Sequence, residues 1–325
     1  MRLASISRYD NSGISNLAWE FNRNLNIEKI QLVSNGVFQT FPERYADKDT
    51  RTAWDYDWLL SGVDCLIAFE TFYDWGVVLE ARKRGVKTIL VTMFEVSPRH
   101  FPYIPDLLLC PSKLDYEIFQ KSSTQVEYLP LPVATDRLPW KKRTTAKHFI
   151  HTASHGGIGG RKGTGLLLEA MKMVKSDIKL TIYSWKNFIT DDPRIEVKVA
   201  NFKNYWQLWK EGDVLIYPQG VNGICLPIVE AMASGMGVIT TDIYPFNEYF
   251  PKELLFKPSK SFKTRLGANL MEVEDFVIEP KAIAEKIDEW ANKDISKFSE
   301  YGKTWAIDNS WDVLRSRYKD LINDL

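Results

Sequence analysis

The sequence predicts an α/β protein built from two similar domains, each around a parallel sheet. Three observations predict it. Short β-prone apolar runs alternate with helix-like runs along the first half, and the alternation restarts after a proline- and cation-rich interruption. Glycine-bearing loops sit between a strand-like run and the helix-like run that follows it. A length of 325 residues suits two domains of ordinary size rather than one.

In chain order, Leu3–Ser7 reads as a strand, Tyr9–Gly13 as a turn, and Ile14 to about Leu25 as a helix. Ile30–Ser34 and Asp64–Phe69 are the next strands, the latter ending at Glu70. Val77–Arg84 is helical and Gly85 ends it, and Thr88–Met93 and Leu107–Cys110 are strands. Pro130–Lys147 reads as a linker, with three prolines and the cations Arg137, Lys141, Lys142, Arg143 and Lys147. Beyond it come a strand at Phe149–Ala153, a glycine-rich loop at His155–Gly163, a helix at Leu166–Val174, a strand at Lys179–Ser184 and a short helix at Tyr205–Lys210. Val214–Tyr217 is an apolar strand, and Pro227 suits a first helical turn that Ile228–Ser234 continues. Gly235 and Gly237 stop that helix before a strand at Val238–Thr241. Lys297–Leu325 reads as one or two helices, with Trp311, Leu314, Tyr318 and Leu321 at helical spacing. Ligands of open parallel sheets sit at the carboxyl ends of strands, so a cleft between the domains is the expected site.

Lys and Arg number 42, as do Asp and Glu, so no net field draws the chain to nucleic acid or a membrane surface. The cations of Arg82–Lys87 and Arg137–Lys147 could still meet an anionic acceptor, or be solvated loop charges. Cys65, Cys110 and Cys225 are too few and scattered for a disulfide framework or a zinc site. Buried free thiols in a reducing compartment are expected. MRLASISRYDNSG lacks the apolar core of a secretory signal, and no run is apolar enough to span a membrane, so a cytoplasmic location is expected.

Two constellations carry chemistry. In HTASHGGIGGRKGTGLLLEA (151–170), glycines including Gly157 let backbone approach a phosphate, and Arg161 and Lys162 bring two cations to the same loop before a helix. The bland alternative is a flexible surface loop. In DVLIYPQGVNGICLPIVEAMASGMGVITTD (213–242), Glu230 falls in the first turn of its helix. There its carboxylate could bind ribose hydroxyls or simply favour the helix dipole.

The pair RKGTGLLLEA and NGICLPIVEAMASGMGVITTD resembles the retaining glycosyltransferases of family 4, which have the GT-B fold of two Rossmann-like domains. PSKLDYEIF (111–119), YLPLPVATDRLPW (128–140) and NSWDVLRSRYKDLI (309–322) are similar to that family's Ser-bearing segment, interdomain segment and terminal helix. The resemblance covers the C-terminal half well and the N-terminal half loosely. It implies an N-terminal acceptor domain over 1–138, joined by a helix of about 306–325 that crosses back to it, and a donor domain over 147–305. It implies that Arg161 and Lys162 bind the diphosphate of a UDP- or GDP-sugar and stabilise the leaving group without a metal. Glu230 would bind the ribose, and the amides of Gly223, Ile224, Cys225 and Leu226 the sugar and phosphate. The base would lie near Ser184–Trp185 and Val199–Tyr205. No cofactor is implied, and the acceptor is open among a glycan, a lipid-linked sugar and a hydroxymethylated DNA base.

The chain departs from the family pattern at three places. Asn222 stands where the family has the glutamate that grips the donor sugar, and Cys225 where glycine is common. The family's N-terminal histidine at a strand end has no counterpart, and Glu70 and Glu95 follow the corresponding runs. Either could serve as base toward the acceptor hydroxyl, hold the sugar, or be a cap or ion-pair partner. Asp10 could contact acceptor or shape its turn, and Gly13 would let the first loop approach the donor. These departures keep two alternatives open: a non-catalytic nucleotide-sugar-binding protein and a GT-B sugar-nucleotide epimerase.

Overall fold

Two parallel sheets organise the computed structural model, which describes residues 1–200, 202–266 and 271–325. The first unit is built from Met1–Pro132 and Trp311–Leu325, and Arg265, Leu266 and Met271 at the tip of a later strand pair group with it. It runs β1 (Leu3–Arg8), α1 (Gly13–Asn24), β2 (Lys29–Val33), β3 (Asp49–Arg51), α2 (Tyr56–Leu60), β4 (Cys65–Phe69), α3 (Gly76–Lys83), β5 (Lys87–Val91), β6 (Leu107–Cys110), α4 (Lys113–Phe119) and β7 (Gln125–Tyr128). The sheet order is β3-β2-β1-β4-β5-β6-β7, parallel throughout. The order reverses between β1 and β4, the doubly wound pattern. Every residue of β4 and β6 is buried. Strands covered by helices on both faces lose the polar alternation, which is why these runs read as continuous apolar stretches.

Side chains set the helix starts here. Ser12 accepts from the Ser15 amide at 3.4 Å, and Ser112 from the Asp115 amide at 3.0 Å. The final helix, Trp311–Asn323, belongs to this unit. Its buried stripe is Trp311, Leu314, Tyr318 and Ile322, so the last position is Ile322 and not Leu321. The aromatic ring of Phe21 on α1 meets Trp311 and Tyr318 edge-on, with centroids 5.0 and 5.2 Å apart. The Tyr318 hydroxyl donates to the Pro130 carbonyl at 3.0 Å.

The second unit is built from Val133–Thr264 and Glu272–Ser310. It runs β8 (His148–Ser154), α5 (Thr164–Met171), β9 (Lys179–Ser184), β10 (Ile195–Val199), β11 (Val214–Tyr217), α6 (Leu226–Ala233), β12 (Gly237–Thr241) and β13 (Leu255–Phe256). Then come β14 (Lys260–Leu266), β15 (Met271–Val277), α7 (Pro280–Trp290) and α8 (Ser296–Asp308); the final helix above is α9. Its parallel sheet has the order β10-β9-β8-β11-β12-β13, while β14 and β15 form a separate two-stranded ribbon.

The basic segment before this sheet is not simply a solvated linker. Arg143 is 3% exposed and donates to the carbonyls of Lys141, Ser234, Trp209 and Gly212 at 2.6–3.1 Å. A guanidinium fork can satisfy four converging carbonyls, including the end of α6, where a solvated cation would satisfy none. On α3, Lys83 pairs with Glu80 and Arg84 with Asp57. Among the described residues, no helix is long and apolar enough to cross a membrane.

Candidate functional site

In the second unit β8 and β11 are neighbours where the strand order reverses. Each feeds a loop that ends in a helix start, His155–Gly163 into α5 and Pro218–Cys225 into α6. Neither helix has a side-chain cap or an acidic residue in its first turn. The dipole ends of both helices thus carry no side-chain anion of their own, the arrangement that receives an external one, although in α6 the Ile228 amide turns back to the Cys225 carbonyl at 3.0 Å.

The two loops touch. A Cβ added to Gly163 would lie 1.7 Å from the Pro218 carbonyl oxygen, and Gly163 holds a left-handed φ of +76° as the N-cap of α5. The Lys162 ammonium lies over the Tyr217 ring, 5.5 Å from its centroid, so the first loop reaches the strand that leads into the second. The charges of Lys162 and Arg161 also act on the Cys225 thiol. Burial outweighs them and pushes that thiol up to about 11, keeping it protonated. The structure thus brings together Gly157, Arg161 and Lys162 with Asn222, Gly223, Ile224, Cys225 and Leu226. Val221–Cys225 are buried, whereas Arg161 is exposed and Lys162 half-buried. The ribbon seats on the same loop, since a Cβ on Gly220 would fall 2.3 Å from Asp275 Oδ1 and 2.4 Å from the Phe276 carbonyl oxygen.

Cys225 is the N-cap of α6 and takes φ +54°, a left-handed conformation that favours glycine. Glu230 requires a correction. The helix begins at Leu226, so Glu230 lies in its second turn, beyond the dipole's first-turn reach. It is 9% exposed, and its Oε2 accepts from the Trp209 indole N–H at 3.0 Å. Beside the loops, at the ends of β8 and β9, His155 and Trp185 place their rings 5.6 Å apart.

His151 on β8 was not singled out by any sequence motif, yet it ties the two loop-bearing elements together. Its Nδ1 lies 2.9 Å from the Ile216 carbonyl, which can only accept, so Nδ1 carries the proton. Nε2 therefore accepts from the Thr164 hydroxyl, 2.9 Å away on the first residue of α5. Burial lowers the imidazole from 6.5 to about 4, with the Ile216 bond opposing and the Lys162 charge adding. The folded unit refuses a proton that the unfolded chain takes up, so this stabilisation is complete above about pH 6.5 and is lost as pH falls toward 4. The gap corresponds to about 3 kcal/mol. Hydrogen exchange at β8 and β11 amides is expected to quicken from pH 7 to 4.5, after correction for intrinsic rates, and to do so less in His151→Gln. An unchanged profile would contradict the assignment.

In the first unit the carboxyl ends of β1 and β4 gather Asp10, Gly13 and Glu70. Asp10 is 0% exposed, and its carboxylate accepts from Arg8 Nε and Nη2 at 2.8 and 2.5 Å and from the Ser12 amide at 2.9 Å. That geometry shapes the turn before α1. Gly13 is the exposed first residue of that helix. Glu70 is half-buried at φ +65°, and its carbonyl accepts from Ser97 Oγ at 2.8 Å. Tyr73, three residues on, is exposed and itself left-handed at φ +61°. Two such residues this close at one strand end are strain of the kind found at functional sites.

The placement of Glu95 at a strand end is corrected: β5 stops at Val91, and Glu95 sits in the following turn, 4% exposed. It lies near Asp115, which burial pushes up to about 7, with Ser112 and Thr92 hydrogen bonds opposing and the Glu95 charge adding. The three cysteines are free and buried. Among the described residues, no three His, Cys, Asp or Glu side chains are grouped to hold a metal ion.

Residues 149–290 match the family model Glycosyl transferases group 1. This group 1 segment runs from β8 through α7 and contains both loops. No curated protein matches the chain. Solved structures of similar architecture include HepE from Anabaena in complex with UDP-glucose, at TM-score 0.72 and 11% identity over 100% of both chains. A glycosyltransferase from Rickettsia africae is similar at TM-score 0.69 and 13% identity, over 99% of this chain and 98% of that one. Sucrose-phosphate synthase from Thermosynechococcus elongatus is similar at TM-score 0.67 and 12% identity, over 100% and 98%. The group 1 segment and the first unit together have the two-Rossmann-like-domain architecture of GT-B proteins.

Proposed function

We propose that the chain is a retaining glycosyltransferase of the family 4 type, moving a hexose from a UDP- or GDP-sugar to a hydroxyl acceptor. The observation that carries this reading is the loop pair of the group 1 segment. Two uncapped helix starts lie on loops in van der Waals contact, with Arg161 and Lys162 beside them. HepE, in complex with UDP-glucose, supports a uridine donor.

In the proposed reaction the acceptor oxygen bonds to the anomeric carbon on the face the diphosphate leaves. The bond from that carbon to the diphosphate oxygen breaks, and the acceptor proton passes to that oxygen. Arg161, Lys162 and the leading amides of α5 and α6 offset the charge that develops there, so the reading needs no metal. Glu230 holds the ribose, with its carboxylate positioned by the Trp209 indole N–H. The first unit takes the acceptor, with Glu70 the favoured carboxylate because Glu95 is buried.

A panel of UDP- and GDP-hexoses read by mass spectrometry tests this. Release of nucleoside diphosphate with the sugar unepimerised is expected, while turnover of no donor would overturn the proposal. Glu230→Gln keeps an acceptor for Trp209 but loses the charge. It is expected to raise donor KM about tenfold, close to 1.4 kcal/mol, with kcat little changed. An unchanged KM would remove Glu230 from the ribose.

A further inference from the structure

Gln219 stands in the second loop, between β11 and α6, and is 0% exposed. Its Oε1 is engaged twice, accepting from Asn222 Nδ2 at 2.9 Å and from the Cys225 thiol at 3.9 Å. Its Nε2 is buried and has no hydrogen-bond partner among the described residues. A buried amide N–H without a partner is costly, and a side chain this short of acceptors persists where something else supplies one. The surroundings say what that is. The amide end lies with Cys225 at the uncapped start of α6, where the Lys162 and Arg161 charges act on the thiol. From Pro218 to Cys225 the loop holds no carboxylate, and its polar side chains are the two amides Gln219 and Asn222. The loop's own side chains offer hydrogens within a positive field, and none of them gives Nε2 an acceptor.

We infer that Gln219 is a ligand-binding residue whose Nε2 donates to an oxygen that carries no proton, a phosphate or carboxylate oxygen of the bound sugar nucleotide. The inference rests on the nucleotide-sugar reading above and extends it to a residue outside the glycine, cation and glutamate pattern. Gln219 is a specificity residue in this role. An oxygen with a hydrogen to give would also have to find an acceptor here, and Oε1 is already taken.

Two variants test it. Gln219→Glu keeps Oε1 and replaces the Nε2 donor by oxygen, and Gln219→Met removes the donor without adding charge. UDP, UDP-glucose and UDP-glucuronate are titrated calorimetrically into the wild type and both variants, with ligand-free melting recorded. The expected result is a loss of tenfold or more in affinity with both variants, and ligand-free melting in Gln219→Glu close to the wild type. Loss already present with UDP assigns the phosphate oxygen, and loss confined to UDP-glucuronate assigns the sugar carboxylate. Loss confined to UDP-glucose would point to a hydroxyl and overturn the inference. Loss in Gln219→Glu alone would be charge repulsion and overturn it, as would equal affinities throughout. Binding of none of the three by the wild type would overturn the nucleotide-sugar reading together with this one.

Discussion

Replacing Lys162 by alanine is expected to lower donor turnover roughly 10²–10³-fold, the range for removal of one charge-stabilising donor from a preorganised site. The position supports so large an effect. The side chain is half-buried and lies over the fully buried Tyr217 ring, so its ammonium is held by packing and not left to wander in solvent. A cation held that way needs little reorganisation when the diphosphate leaves. Arg161 is exposed, and Arg161→Ala is expected to act in the same direction but less strongly. Initial rates with a UDP-hexose, alongside melting curves showing that both variants fold, check the order. Equal turnover in Lys162→Ala and wild type would remove Lys162 from the chemistry.

Gly163→Ala is expected to destabilise the second unit by about 4 kcal/mol, at the severe end for a single substitution. Two costs add. A left-handed φ of +76° disfavours any Cβ, and the Cβ would sit 1.7 Å from a backbone oxygen that no rotamer change can move aside. The loops could part to admit the methyl, which would carry α5 away from α6 and lose ligand binding as well. Chemical denaturation of Gly163→Ala measures this. A stability within about 1 kcal/mol of the wild type would show that the loop contact is loose.

The elements that position this site were legible because their physics is local. Val214–Tyr217 is apolar at every position and is buried at every position. Pro227 marks the first turn of α6, and Gly163 precedes α5. The segments that escaped notice carry no such periodicity. Most of β14 is solvent-exposed, and its order comes from backbone pairing, which any side chains permit. β3 and β13 are only three and two residues long. Arg143 reads as a surface cation until four carbonyls from distant parts of the chain converge on it. Glu230 falls in the second turn because the helix already begins at Leu226, with Pro227 its second residue. His151 and Gln219 are single polar residues in apolar surroundings, and only their tertiary partners, Ile216 with Thr164 and Asn222 with Cys225, distinguish them from ordinary buried side chains.

The central claim is that the paired loops of the group 1 segment hold a nucleoside diphosphate. Calorimetric titration of UDP and GDP into the wild type and into an Arg161→Ala, Lys162→Ala double variant tests it most directly. The claim predicts a single site on the wild type for at least one of the two nucleotides, weakened roughly 100-fold or more in the double variant. Binding of neither nucleotide by the wild type, or equal affinity in the folded double variant, would contradict it.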